Sequence, residues 1–197
     1  ELGQLAELLA DESERVVTLV GPGGVGKTRL LVEALEQPLA MPRGQVLFVD
    51  GAVLDRPALL LPEIVELLGI DRTADQPSGE LLSEHLAGRR LLLLLDNMEH
   101  LLPAAVDIAA LVRALPGLRV VATSRAPLHI SGERILPIEP LTTSMSASDS
   151  AGMLSVAGRL FADRAAKTGK LGSPTASDIA LIEAICARLD GLPLAIE

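Results

Sequence analysis

The stretch RVVTLVGPGGVGKT, from Arg15 to Thr28, leaves this chain few folds to choose from. Val16–Val20 are apolar or β-branched and predict a buried strand. An apolar helical run, Leu30, Leu31, Ala34 and Leu35, follows Thr28. Between them Gly21, Pro22, Gly23, Gly24, Val25, Gly26, Lys27 and Thr28 spell GxxxxGK[ST], with the strand before and the helix after that the motif requires. A phosphate chain needs several N–H donors converging on it, and side chains on the loop would block its approach. Glycines let the backbone curl and come close. A helix beginning near Gly26 adds unpaired N–H groups and the positive end of its dipole. In this reading Lys27 reaches the β- and γ-phosphates and the Thr28 hydroxyl sits on Mg²⁺. Arg29 is grouped with the loop as nucleotide-binding, although its position alone reads as solvated. The alternative, a glycine-rich turn with a chance lysine, has the flanking strand and helix against it.

Composition narrows what the nucleotide can serve. The 197 residues suit one domain, or one domain plus part of another, and 49% hydrophobic content is ample for a core. No run of about 18 uncharged apolar residues is present, so no membrane span is expected. No signal peptide is visible, and since Glu1 is no initiator the natural N-terminus can lie upstream. Cys186, alone, forms no internal disulfide; it fits a reducing, cytoplasmic setting and a packing role on a helical stripe. The net charge of −9 makes a poor nucleic-acid binder, so any DNA contact of the parent protein is assigned to other domains. With two Phe and neither Tyr nor Trp, the adenine must rest on aliphatic side chains and proline.

The remaining pattern alternates. Leucines at 2, 5, 8 and 9 give a first helix. QVLFVD, Gln45–Asp50, predicts a strand buried on both faces, because its apolar residues do not alternate. Ala58–Leu68 reads as a helix with Pro62 as a kink or a late start, closed by Gly69; a polar turn spans Arg72–Ser78, and Gly79–Gly88 is a short helix. Leu91–Leu95, five leucines before Asp96, suits a central strand. A helix over Leu101–Leu115, a strand over Arg119–Thr123 and a short strand over Arg134–Ile138 follow, the last an edge because of Pro137. Strands alternating with helices predict a parallel sheet with right-handed crossovers, whose ligands bind outside the carboxyl ends of the strands. The phosphate loop, Asp96 and Arg125 all fall at such ends. The expected division is 1–141 for the nucleotide-binding domain, 142–150 for a linker and 151–197 for a helical domain cut short by the end of the chain. In that helical part Val156, Leu160 and Phe161 share one face, and Ile179, Ile182, Cys186 and Leu189 another.

Asp96 behind a run of aliphatics is a Walker B pattern: a carboxylate at a strand end can hold Mg²⁺ opposite Thr28. An N-cap role is the alternative. Asn97 beside it can position a water but cannot accept its proton, which predicts slow hydrolysis. Glu99 either substitutes as the base or is a solvated charge. Arg125, at the next strand end, is placed to sense a γ-phosphate; a surface ion pair is the alternative. Arg89, Arg90 and Arg134 read as solvated, and His85, His100 and His129 lack metal-ligand spacing.

GPGGVGKT, LLLLLDNMEH, VVATSRAPL and LDGLPLAIE, in that order, resemble the STAND class of P-loop ATPases, of the NB-ARC kind. The wording is particularly similar to the module of large bacterial transcriptional regulators of the SARP and large LuxR types. The resemblance implies a five-stranded parallel core in the order 5-1-4-3-2 flanked by helices, then a small helical domain. It implies ATP or ADP with Mg²⁺ held by Lys27, Thr28 and Asp96, Arg125 as the γ-phosphate sensor, and Pro193 of GLPL beside the adenine. It also implies nucleotide-dependent self-association of the full-length protein. Two uses compete: a signalling switch with slow hydrolysis, and an ATPase with sustained turnover unrelated to transcription. An AAA-type motor ring is disfavoured, since no trans-acting arginine finger is visible.

Overall fold

The computed structural model describes residues 1–36, 44–71, 76–143, 153–169 and 174–197. Most of the polar turn Arg72–Ser78 and most of the linker lie outside them. The chain divides into two compact units, Glu1–Gly21 with Lys27–Pro137, and Pro22–Gly26 with Ile138–Glu197.

The first unit is built on five strands: β1 (Val16–Val20), β2 (Gln45–Asp50), β3 (Leu91–Asp96), β4 (Leu118–Ser124) and β5 (Glu133–Pro137). All described pairings are parallel, and the order β2-β3-β4-β1-β5 is the expected 5-1-4-3-2 read from the other edge. Parallel strands need crossovers, which here include α2 (Lys27–Leu35), α3 (Leu60–Leu67), α4 (Ser78–His85) and α5 (Ala105–Ala114). Helix α1 (Leu2–Ala10) precedes the sheet and packs on α2. Alternation assigns the two faces of the sheet. Leu91, Leu93 and Leu95 of β3 join Ile64, Leu82 and Ile108 in one large core, while Leu92 and Leu94 point the other way and are buried too. Each fully buried leucine contributes about 1.5–3 kcal/mol, so β3 is the fold's main apolar investment.

Two sequence expectations about burial are corrected. β2 is an edge strand, and Val46 and Phe48 are 42% and 45% exposed rather than buried. An unalternating apolar run does not distinguish an interior strand from an edge strand whose second face stays open. Val156, expected on the apolar face with Leu160 and Phe161, is exposed instead. Elsewhere the punctuation reads as expected. Pro62 sits in the first turn of α3, a late start rather than a kink, and Gly69 closes that helix at φ +65°. Pro137 ends β5, which pairs with β1 alone among the described strands.

Sequence inspection gave no warning of two arginine caps. Arg15 donates to the carbonyls of Val112 and Leu115 at the end of α5, and Arg119 to those of Leu8, Leu9 and Asp11 at the end of α1. Unpaired carbonyls carry the negative end of the helix dipole, so a guanidinium there satisfies both charge and hydrogen bonding.

The second unit is small and helical, with α6 (Val156–Lys167), α7 (Ala176–Arg188) and α8 (Pro193–Ile196). Its core is Ala157, Ile182, Cys186 and Ile196, backed by Leu141, Leu160 and Phe161. Burial pushes the Cys186 thiol above its ordinary pKa, aided by Glu183, which suits packing and not nucleophilic chemistry. Thr175 and Asp178 form a capping box at the start of α7. Asp190 and Gly191 end it in the left-handed region; a Cβ on Gly191 would lie 2.0 Å from the Leu141 carbonyl oxygen, so only glycine fits. No described helix is long and apolar enough to cross a membrane.

Candidate nucleotide site

β1 runs straight into the glycine loop, and α2 starts at Lys27. Gly24 and Gly26 take φ of +77° and +98°, conformations that a side chain would resist. Gly21 N–H donates to the Ser124 carbonyl at 3.2 Å, which ties the entrance of the loop to the end of β4. Pro22, Gly23 and Arg29 are exposed, whereas Val25 is buried. Within the second unit, Leu194 N–H donates to the Gly24 carbonyl at 3.1 Å, directly after Pro193 at the first position of α8.

Lys27 is only 8% exposed, and its ammonium donates to the Gly21 carbonyl at 2.9 Å. Burial holds its pKa below the usual lysine value, and Arg125 pushes the same way; Glu99 and Asp96 oppose them. Asp96, 4% exposed at the end of β3, receives the Thr28 hydroxyl at 2.8 and 2.9 Å on its two oxygens. The Thr123 hydroxyl of β4 also donates to Asp96. The predicted pair Thr28 and Asp96 is thus brought together across 68 residues of sequence. One hydroxyl and one carboxylate are hard oxygen donors, so the pair fits a divalent cation of the magnesium kind.

Arg125 and Glu99, predicted for separate roles, meet in one ion pair at 3.1 Å. Arg125 is 65% exposed there and Glu99 26%. The second Glu99 oxygen is buried without a hydrogen-bond partner among the described residues. His100 Nε2–H donates to the Leu54 carbonyl oxygen at 2.8 Å, a structural contact. No group of three or more His, Cys, Asp or Glu suited to a metal occurs among the described residues. A cavity of about 520 Å³ lies at the other ends of the strands, near Arg89, Arg90 and Arg119, and is no part of this site.

Two contributors escaped sequence reading, Asp50 and Thr123. Asp50 ends β2 in the register position of Asp96, and the Asn97 amide joins the two carboxylates. The signal was available: QVLFVD and LLLLLD both place an Asp after an apolar strand.

Residues 10–136 match the family model of the AAA domain, well over half of the chain. The chain belongs to the AAA domain family. It is a nucleotide-binding P-loop ATPase domain by that membership. A protein of Mycobacterium tuberculosis provisionally named an HTH-type transcriptional regulator is 36% identical over 184 residues, covering 93% of this AAA domain chain. The chain spans 20% of that relative's length. Among solved structures, CDC6p of Pyrobaculum aerophilum aligns with a TM-score of 0.66 at 19% identity, covering 99% of this chain and 58% of that one. A STAND protein with a tetratricopeptide repeat sensor, from Pyrococcus horikoshii, aligns with a TM-score of 0.51 at 17% identity, covering 98% and 28%. At these identities the two structures speak for the fold alone.

Proposed function

We propose that this AAA domain is the ATP- and ADP-binding switch of a larger bacterial transcriptional regulator, of the STAND class and NB-ARC kind, working in the cytoplasm with slow hydrolysis. The observation that carries the reading is the Thr28 hydroxyl seated on both oxygens of Asp96 beside the buried Lys27. In this reading Gly21–Gly26 cradle the phosphates with backbone N–H groups, and Lys27 places its ammonium on them. Thr28 and Asp96 are the residues that would hold magnesium, which offsets phosphate charge when bound. Residues 151–197 form the helical domain, with Pro193 beside the adenine. Two observations support slow turnover. Asn97 follows Asp96 where a base could stand, and Glu99 is engaged by Arg125. The regulator assignment is supported by the relative just described, and DNA contact is assigned to domains outside this chain.

Turnover tests the switch against the sustained ATPase. Purified protein is expected to carry ADP through denaturation into mass spectrometry, and to hydrolyse ATP far below the roughly 1–100 s⁻¹ of kinases. A steady rate in that range removes the switch. Arg125 supplies a second check. Its ion pair with Glu99 is mostly exposed and so contributes little to stability, which leaves the guanidinium available to a third phosphate. Arg125→Ala is expected to narrow the ratio of ATP to ADP affinity about fivefold, within the usual range of coupling. An unchanged ratio by calorimetry strips Arg125 of the sensor role.

A further inference from the structure

We propose that Asp50 and Asn97 form a positioning pair that holds the Asp96 carboxylate in place, with the Asn97 amide separating two neighbouring acids. This deepens the nucleotide-switch reading and rests on it for the magnesium arm of the test. β2 and β3 run parallel in register, so Asp50 and Asp96 are direct cross-strand partners on the same face of the sheet. Like charges directly opposite one another destabilise a sheet. Here one side-chain amide lies between them. Asn97 Nδ2 donates to Asp50 Oδ1 at 3.3 Å and to Asp96 Oδ2 at 3.2 Å, so its two hydrogens serve two carboxylates.

The backbone is built to keep it there. Asn97 stands at φ 57° and ψ 48°, the left-handed region, and its N–H donates to Thr123 Oγ1 at 3.1 Å. The same Thr123 hydroxyl donates to Asp96. Asp50 is fixed from its own side by Ala52 N–H at 2.9 Å. Gly51 then brings the end of β2 against the end of β3: a Cβ there would lie 2.6 Å from the Asp96 carbonyl oxygen and 3.0 Å from that of Asn97. Backbone conformation does not explain why residue 97 is an amide, because aspartate enters the left-handed region as asparagine does. The charge does. An acid at 97 would put three carboxylates together and remove the donor that parts the first two. Asp50 therefore acts on the Thr28–Asp96 pair through Asn97, without touching nucleotide itself.

The test is a double-mutant cycle on the whole chain, Asn97→Asp, Asp50→Asn and the exchange of both. In metal-free buffer Asn97→Asp is expected to lower Tm by about 4–8 °C, a moderate loss for a chain this size. Asp50→Asn is expected to be nearly silent, because its amide oxygen still accepts from Ala52 and Asn97. The exchange variant again holds one acid and one amide around Asp96, and is expected to regain most of the lost Tm. Magnesium with ADP is expected to return the Asn97→Asp deficit selectively, since a cation relieves crowded carboxylates but does not repair lost packing. Additive changes in Tm, or a deficit that magnesium and ADP leave untouched in a protein that still binds both, overturn the proposal. If Asn97→Asp fails to fold, an exchange variant that folds supports the pairing, and one that also fails overturns it. Absence of ADP binding by the wild type sinks the switch reading instead, and the metal-free cycle still decides the pair.

Discussion

Lys27→Ala is expected to lower ADP affinity about a hundredfold or more, equivalent to about 2.7 kcal/mol. The magnitude follows from burial. The ammonium is 8% exposed and sits close enough to Asp96, Glu99 and Arg125 to feel all three. Truncating one partner of a buried, hydrogen-bonded charge pair costs about 2–5 kcal/mol, far more than a surface lysine would. The direction of its pKa adds a pH dependence. Burial already disfavours the charged form, and a bound diphosphate favours it, so binding raises the Lys27 pKa. Above the pKa of the free site, binding must therefore take up a proton, and affinity falls as pH rises. Calorimetry at alkaline pH in two buffers of different ionisation enthalpy reads that uptake directly. Lys27→Ala should abolish it, because the titrating ammonium is gone. Near-normal ADP binding by this variant contradicts the assignment of the loop.

The sheet was legible because its strands are short apolar runs stopped by glycine, proline or charge, and a phosphate loop fixes which strand comes first. The run Leu91–Leu95, bounded by charge and turn signals, suited a central strand better than a helix, and it became a fully buried interior strand. QVLFVD carried the same kind of signal and became an edge, because apolar content reports what a strand can bury and not how many neighbours it has. The site divided along similar lines. Lys27, Thr28 and Asp96 belong to motifs whose spacing along the chain is meaningful. Asp50 belongs to no motif, and Thr123 lies in VVATSRAPL without a role assigned to it; they matter because parallel register sets strand ends side by side, and register is a property of the assembled sheet. Arg125 and Glu99 were each visible, but their pairing was not, since two long side chains 26 positions apart find one another only after β4 is laid beside β3.

Asp96 allows its structural and electrostatic roles to be taken apart by two substitutions. Its carboxylate receives the hydroxyls of Thr28 and Thr123 and the Asn97 amide, and Thr123 is 1% exposed. Asp96→Ala leaves the Thr123 hydroxyl buried without its acceptor, a loss of about 1–3 kcal/mol in denaturant unfolding. Asp96→Asn keeps one carbonyl oxygen to accept a threonine hydroxyl, and is expected to hold stability within about 1 kcal/mol of the wild type. Both remove the charge, and oxygen sites hold divalent cations chiefly through carboxylates. The ratio of nucleotide affinity with magnesium to that in chelator should accordingly fall about tenfold or more in both variants. Affinity in chelator should change little, because the loop and Lys27 remain. A stable Asp96→Asn protein whose ADP and ATP affinities still respond to magnesium as the wild type does would mean that the carboxylate is an architectural tie for β3, β4 and α2, and that the cation is held elsewhere.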